Sequence, residues 1–148
     1  MDCIDSTSLP TKRVLTLKAA RAIGEAALAA AEKKGYHHLV ISVVDDAGRL
    51  LFLLRQDSAE PAAVDIGIAK ARTSAITKKP TKWWSDMLHN GVYSFLGMPN
   101  VTPVDGANPI FIDKQVVGAI SASGGTGEED NEICFAGIAA LQDASGHW

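Results

Sequence analysis

The chain has few of the features that declare a protein class at once. Its 148 residues include two cysteines, Cys3 and Cys134. One lies in a polar terminal stretch and the other inside an expected helix. That is neither a disulfide framework nor a zinc spacing, and Cys134 is expected as a small core residue. No run of about 20 apolar residues occurs, as a membrane-spanning helix would need. The longest apolar stretch, Ala19–Ala31, is broken by Arg21 and Glu25. Charge of one sign is also scarce, since 14 basic and 17 acidic residues leave a net charge of -3. Nucleic acid is therefore not an expected partner, because phosphate neutralisation takes clustered Lys and Arg. Residues 1–13 lack the charged-then-apolar order of a secretory leader, so the cytoplasm is the expected compartment. No Ser/His/Asp order, paired-carboxylate pattern, EF-hand loop or HExxH is present.

The hydrophobic content, 47%, suffices for one core of ordinary size. The expected organisation is a flexible tail, 1–13, and a single domain, 14–148. Thr16 is placed to cap a helix over 17–34 that ends at Gly35. Its stripe includes Ala19, Ile23, Ala26, Ala27 and Ala30, small enough to lie close on a sheet. The β-branched run 38–44 predicts a buried strand. The turn Asp45-Asp46-Ala47-Gly48 and a returning strand over 49–55 complete a hairpin. Pro61 suits the first turn of a second helix, 62–77. On that helix Val64, Ile68, Ala71 and Ala75 form one stripe, and Lys70 points away beside Ile66 and Thr73. Two apolar directions predict cover on both sides, including by a second copy of the chain.

Segment 78–108 is irregular, rich in Pro and Gly, and holds Trp83, Trp84, His89, Tyr93 and Phe95. A loop of that length inside a domain is usually functional, and a short helix over 81–89 is expected within it. A second hairpin follows, 109–112 and 115–121. Thr126 and Glu129 then form a capping box before a last helix that reaches about Gln142. Four acids, Glu128, Glu129, Asp130 and Glu132, match the positive end of that helix dipole. Setting them aside leaves 14 basic against 13 acidic groups elsewhere. Helix, hairpin, helix, loop, hairpin, helix is an α+β order, with helices packed on a central antiparallel sheet.

The polar candidates each have a bland and a functional reading. Ser123 and Gly124 lie in a Gly-rich turn that lacks a phosphate-loop lysine, so a small ligand facing backbone amides is expected there rather than a nucleotide. His37 and His38, adjacent on a strand, point to opposite faces. Either one, or His89, is a solvent-edge residue, a general base or an axial haem nitrogen. Arg55 and Asp57 form a carboxylate clamp or a surface pair. Trp83 and Trp84 stack on a planar ligand or pack in the core.

Val43-Val44-Asp45-Asp46-Ala47-Gly48 with Arg55-Gln56-Asp57, then Asp65-Ile66-Gly67-Ile68-Ala69-Lys70-Ala71-Arg72-Thr73, then Val117-Gly118-Ala119-Ile120-Ser121-Ala122-Ser123-Gly124 with Glu129-Asp130, form an ordered set. In this order they resemble the GlcG/HbpS-like family, which includes the C-terminal domain of PduO-type proteins. The resemblance spans about residues 14–142. It implies an α/β sandwich assembled into dimers or larger homo-oligomers, with haem as the cofactor of several relatives. Carried over, the recurring polar positions are Asp45, Arg55, Asp57, Asp65, Lys70, Thr73, Ser123, Gly124 and Asp130. Where relatives often have Gly-Gly before the third strand, this chain has Asp105 to Asn108, which adds polar groups. Two functions follow as expectations. One is a protein binding haem or a small planar or carboxylated ligand between the sheet, the second helix and the 81–108 loop. The other is a cofactor-free isomerase, hydratase or lyase for a small organic acid, with Lys70, Asp65 or Asp130 moving a proton and Arg55 holding the carboxylate.

Overall fold

A computed structural model describes residues 3–142. Four strands, β1 (Val40–Asp45), β2 (Leu50–Arg55), β3 (Ala107–Ile112) and β4 (Gln115–Ser123), form one antiparallel sheet in the order β2-β1-β4-β3. The helices are α1 (Leu17–Lys33), α2 (Ala62–Thr77), α3 (Thr81–His89) and α4 (Gly127–Gln142). The fold is α+β, a sheet built from two hairpins with helices on it. No helix among the described residues is long and apolar enough to cross a membrane.

The local signals explain where the elements begin and end. Thr16 Oγ1 accepts from Ala19 N at the start of α1, and Gly35 takes φ 79° after its end, which glycine adopts without penalty. Asp45 Oδ1 accepts from Ala47 N and Arg49 N, closing the first hairpin turn. Thr126 and Glu129 exchange the reciprocal bonds of a capping box ahead of α4. Residues 3–13 are exposed, but the last two are tied down. Lys12 pairs with Asp46 and Arg13 with Asp113.

The two faces of the sheet differ in kind. One face is apolar: Ile41, Val43, Ile120 and Ala122 are fully buried against Ile23 and Ala27 of α1 and Ile133 and Cys134 of α4. Each buried isoleucine or valine among them stabilises the fold by roughly 1.5–3 kcal/mol. The opposite face, under α2, presents Val40, Ser42 and Val44 of β1 beside Ser123, Ser121 and Ala119 of β4. These side chains are small, so α2 descends closely onto the sheet. Gly67 lies at the approach, where Ser121 Oγ donates to its carbonyl at 2.6 Å.

Three sequence expectations differ from the fold. Lys70 does not point away from the packed face of α2. It is 1% exposed, on the same side as Ala63, Gly67, Ala71 and Ser74. The reason is the serine-lined floor beneath, which favours a small and polar helix face over the aliphatic stripe Val64–Ile68. His37 and His38 are not on a strand, because β1 begins only at Val40. Both are exposed in the segment leading to it. The strands also reach further than expected, β3 from Ala107 and β4 to Ser123.

Three outcomes follow from this packing. A Cβ on Gly118 would land on the Val44 carbonyl and 2.9 Å from Leu15 Cδ2. Gly118→Ala should therefore part β1 from β4 and destabilise by about 3 kcal/mol, read as a lower urea midpoint. Gly97→Ala, with nothing within 4 Å, should stay within about 0.5 kcal/mol of the parent. Burial pushes the Cys134 thiol up to about 12, whereas Cys3 is exposed. Iodoacetamide at pH 8 should label the native chain once, at Cys3, and twice after unfolding.

Candidate functional site

A pocket of about 320 Å³ opens where α2, the segment before β3 and the β4–α4 turn converge. Lys70 and Asp130 form its floor, Ser123, Gly124 and Gly125 one wall, Val104 and Asp105 another, and Glu60 and Ile66 lie at its edge. Each element delivers its side chain for a local reason. The close seat of α2 on the serine face carries Lys70 beneath the 104–106 segment. The capping box at Thr126 fixes the first turn of α4, and Asp130, one turn in, faces back toward the sheet.

Lys70 Nζ donates to Asp130 Oδ2 at 2.9 Å and to the Asp105 carbonyl at 2.8 Å. Both side chains of the ion pair are 2% exposed. Asp130 Oδ1 accepts from Gly125 N at 3.1 Å. Burial pushes the Asp130 carboxyl above its ordinary range, and the Lys70 ammonium and Gly125 N–H pull against that shift. Asp105 is oriented by a chain of amides. Asn108 Nδ2 donates to Asn131 Oδ1 and Asn131 Nδ2 to Asp105 Oδ1, each at 2.8 Å. Gly106 N also donates to Asp105 Oδ1, at 2.7 Å.

Of the residues singled out in the sequence, the pocket gathers Lys70, Asp105, Ser123, Gly124 and Asp130, with Asn108 two hydrogen bonds behind, through Asn131. Thr73 is buried as a brace. It donates to the Ala69 carbonyl and accepts from Thr102 N at 2.8 Å, holding the chain that leads to Val104. Asp65 is exposed and lines nothing. Trp84 is core: its Nε1 donates to Thr77 Oγ1, and its ring meets Phe95 edge-on at 5.1 Å. Trp83 is partly exposed with the Lys79 ammonium 4.7 Å from its ring. His89 is exposed, its Nδ1 against the Ser85 carbonyl.

Arg55, Asp57 and His37 line a separate hollow of about 400 Å³ between α1 and the end of β2. Arg55 Nη2 donates to the Ala59 carbonyl at 2.9 Å. His38 lies beside Tyr36, ring centroids 6.5 Å apart. The sequence reading missed Glu60, Ile66 and Asn131. Glu60 and Asn131 sit in polar runs at helix starts, where no local pattern separates them from solvated neighbours. Among the described residues no group of three or more His, Cys, Asp or Glu is placed to hold a metal.

Breaking the ion pair from one side leaves a buried charge without a partner. Lys70→Met should cost about 3–5 kcal/mol, and Lys70→Met with Asp130→Leu should regain most of it. Urea denaturation of the two single variants and the double variant reads the coupling.

Known proteins share this architecture and part of this sequence. The family model described as haem degrading protein HbpS-like matches residues 15–139. Protein GlcG of Escherichia coli is 37% identical over 115 residues, covering 78% of this chain and 85% of GlcG. The crystal structure of HbpS superposes with a TM-score of 0.83 at 30% identity, over 95% of this chain and 99% of that one. The crystal structure of the PduOC:haem complex gives a TM-score of 0.78 at 25% identity, over 86% and 95%. The chain belongs to the HbpS-like family.

Proposed function

We propose that this protein binds a small organic ligand, and that the ligand places one carboxylate or carbonyl oxygen on the Lys70 ammonium. The observation that carries the reading is the buried Lys70 in the floor of an open pocket. An ammonium has three N–H donors. Two go to Asp130 and the Asp105 carbonyl, and the third has no acceptor among the described residues. Glu60 and Asp105 at the pocket wall disfavour a multiply charged anion and favour a ligand with hydroxyl or amino donors beside its acceptor. The pocket's size suits a compact acid of a few carbons rather than a macrocycle.

Native mass spectrometry of the purified protein, followed by calorimetric titration with the acid it retains, tests this. Lys70→Met should weaken binding at least tenfold, about 1.4 kcal/mol. Unchanged affinity in a folded Lys70→Met protein would remove Lys70 from the site.

A haem reading has its own support, in the haem named for the PduOC relative and in the family description. Haem iron takes an axial His, Cys, Met or Tyr. The Lys70 pocket offers none of these. The hollow beside β2 offers His37, with Arg55 as a partner for a propionate. When bound, haem supplies the iron chemistry, and the chain contributes the ligand and the orientation. Titration with haemin should shift the Soret band, and His37→Ala should abolish the shift. A shift that persists unchanged in His37→Ala, His38→Ala and His89→Ala would rule out histidine ligation.

A further inference from the structure

We propose that Arg49 and Arg72 form an oxyanion site at the β1–β2 turn, separate from both hollows above and sized for one phosphate group. With Ala47, Ile76 and Asn100 they line a hollow of about 120 Å³. At about 30 Å³ per water that is room for roughly four waters, enough for a tetrahedral oxyanion and too little for a nucleoside or a porphyrin. No acidic residue lines it.

The nearby acids are engaged elsewhere. Asp45 Oδ1 accepts from Ala47 N and Arg49 N within the turn, and Asp46 pairs with Lys12. Neither guanidinium enters an ion pair among the described residues. Arg72 is half-buried, and its stem is fitted to the turn. A Cβ on Gly48, at φ 75°, would sit 2.6 Å from Arg72 Cγ, so this glycine is what allows the arginine to lie there. Arg72 Nε points at the Gly48 carbonyl, at 3.5 Å. Two arginines, Arg49 exposed and Arg72 half-buried, line one hollow with no acid in its wall, and an anion between them would offset the repulsion of like charges. The planar fork of arginine matches phosphate oxygens two at a time. The chemistry recognised is the phosphate group itself, free or carried as a monoester.

Inorganic phosphate is the first probe and glycerol phosphate the second, each compared with chloride at equal ionic strength. Phosphate should raise the thermal midpoint beyond chloride and broaden its own ³¹P resonance. Arg49→Ala and Arg72→Ala should each weaken binding at least tenfold. Arg72→Lys should fall between, because it keeps the charge and loses the fork. Arg21→Ala, which removes an exposed arginine of α1, should bind as the parent does, so that loss of one positive charge elsewhere does not account for the effect. Tighter binding of glycerol phosphate would assign the site to a phosphorylated molecule, and equal binding to the free ion. A phosphate effect no larger than that of chloride, or one unchanged in folded Arg72→Ala protein, would overturn the proposal.

Discussion

Lys70 and Asp130 meet out of water, and the rest of the molecule is arranged so that they can. Two charges in a protein interior lose solvation that their attraction restores only with good geometry and further hydrogen bonds. Here Lys70 has the Asp105 carbonyl as well as Asp130, and Asp130 has the Gly125 amide as well as Lys70. One contact set therefore ties α2 to the start of α4 and to the chain entering β3, across the face and end of the sheet. Gly106 shows how closely the three are drawn together. At φ 110°, a Cβ there would sit 2.5 Å from Lys70 Nζ and 2.7 Å from Asp130 Cβ. A side chain at that position would force the pair apart.

The pair also explains why the sheet has two unlike faces. An aliphatic floor beneath α2 would hold the helix farther off and leave the ammonium in an apolar layer. Ser42, Ser121 and Ser123 remove that bulk. The bulk is restored on the other face, where α1 and α4 close over isoleucine and valine. The division separates the two hollows as well. Arg55 sits on β2, the outer strand, two strands from β4. Neighbouring strands are about 4.8 Å apart, so its backbone lies roughly 10 Å from Ser123. A single pocket containing Arg55, Lys70 and the Trp83-Trp84 pair, as the sequence suggested, is replaced by two hollows at one end of the sheet.

What was legible in the sequence was what local chemistry determines. The bounds of α2 and α3, the Thr16 cap and the Thr126–Glu129 box depend on residues within a few positions of one another. Lys70 was legible as a candidate but not as a buried group. A helical wheel places it opposite Val64 and Ile68, and only the serine face, contributed by β1 and β4, makes that side the inner one. The β-branched run carries the expected strand back to His38, beside His37; pairing with Arg55 and Ser123 starts β1 at Val40. Asn131 was not legible. Its role depends on Asp105 and Asn108, more than 20 residues away in the chain.

The acids at the start of α4 show how far a plausible local account can fall short. As a set they match the helix dipole, most directly Glu128, Glu129 and Asp130 in the first turn. Their side chains nonetheless do different work. Glu129 reaches back to the Thr126 amide, Asp130 turns inward to Lys70, Glu132 pairs with Lys34 of the facing element, and Glu128 is exposed. Of the four only Asp130 is buried, and burial pushes its carboxyl up. The dipole accounts for the sign of the whole run but cannot say which acid is withdrawn from water. That choice is made by Lys70, 60 residues earlier in the chain, and with it the position of the pocket.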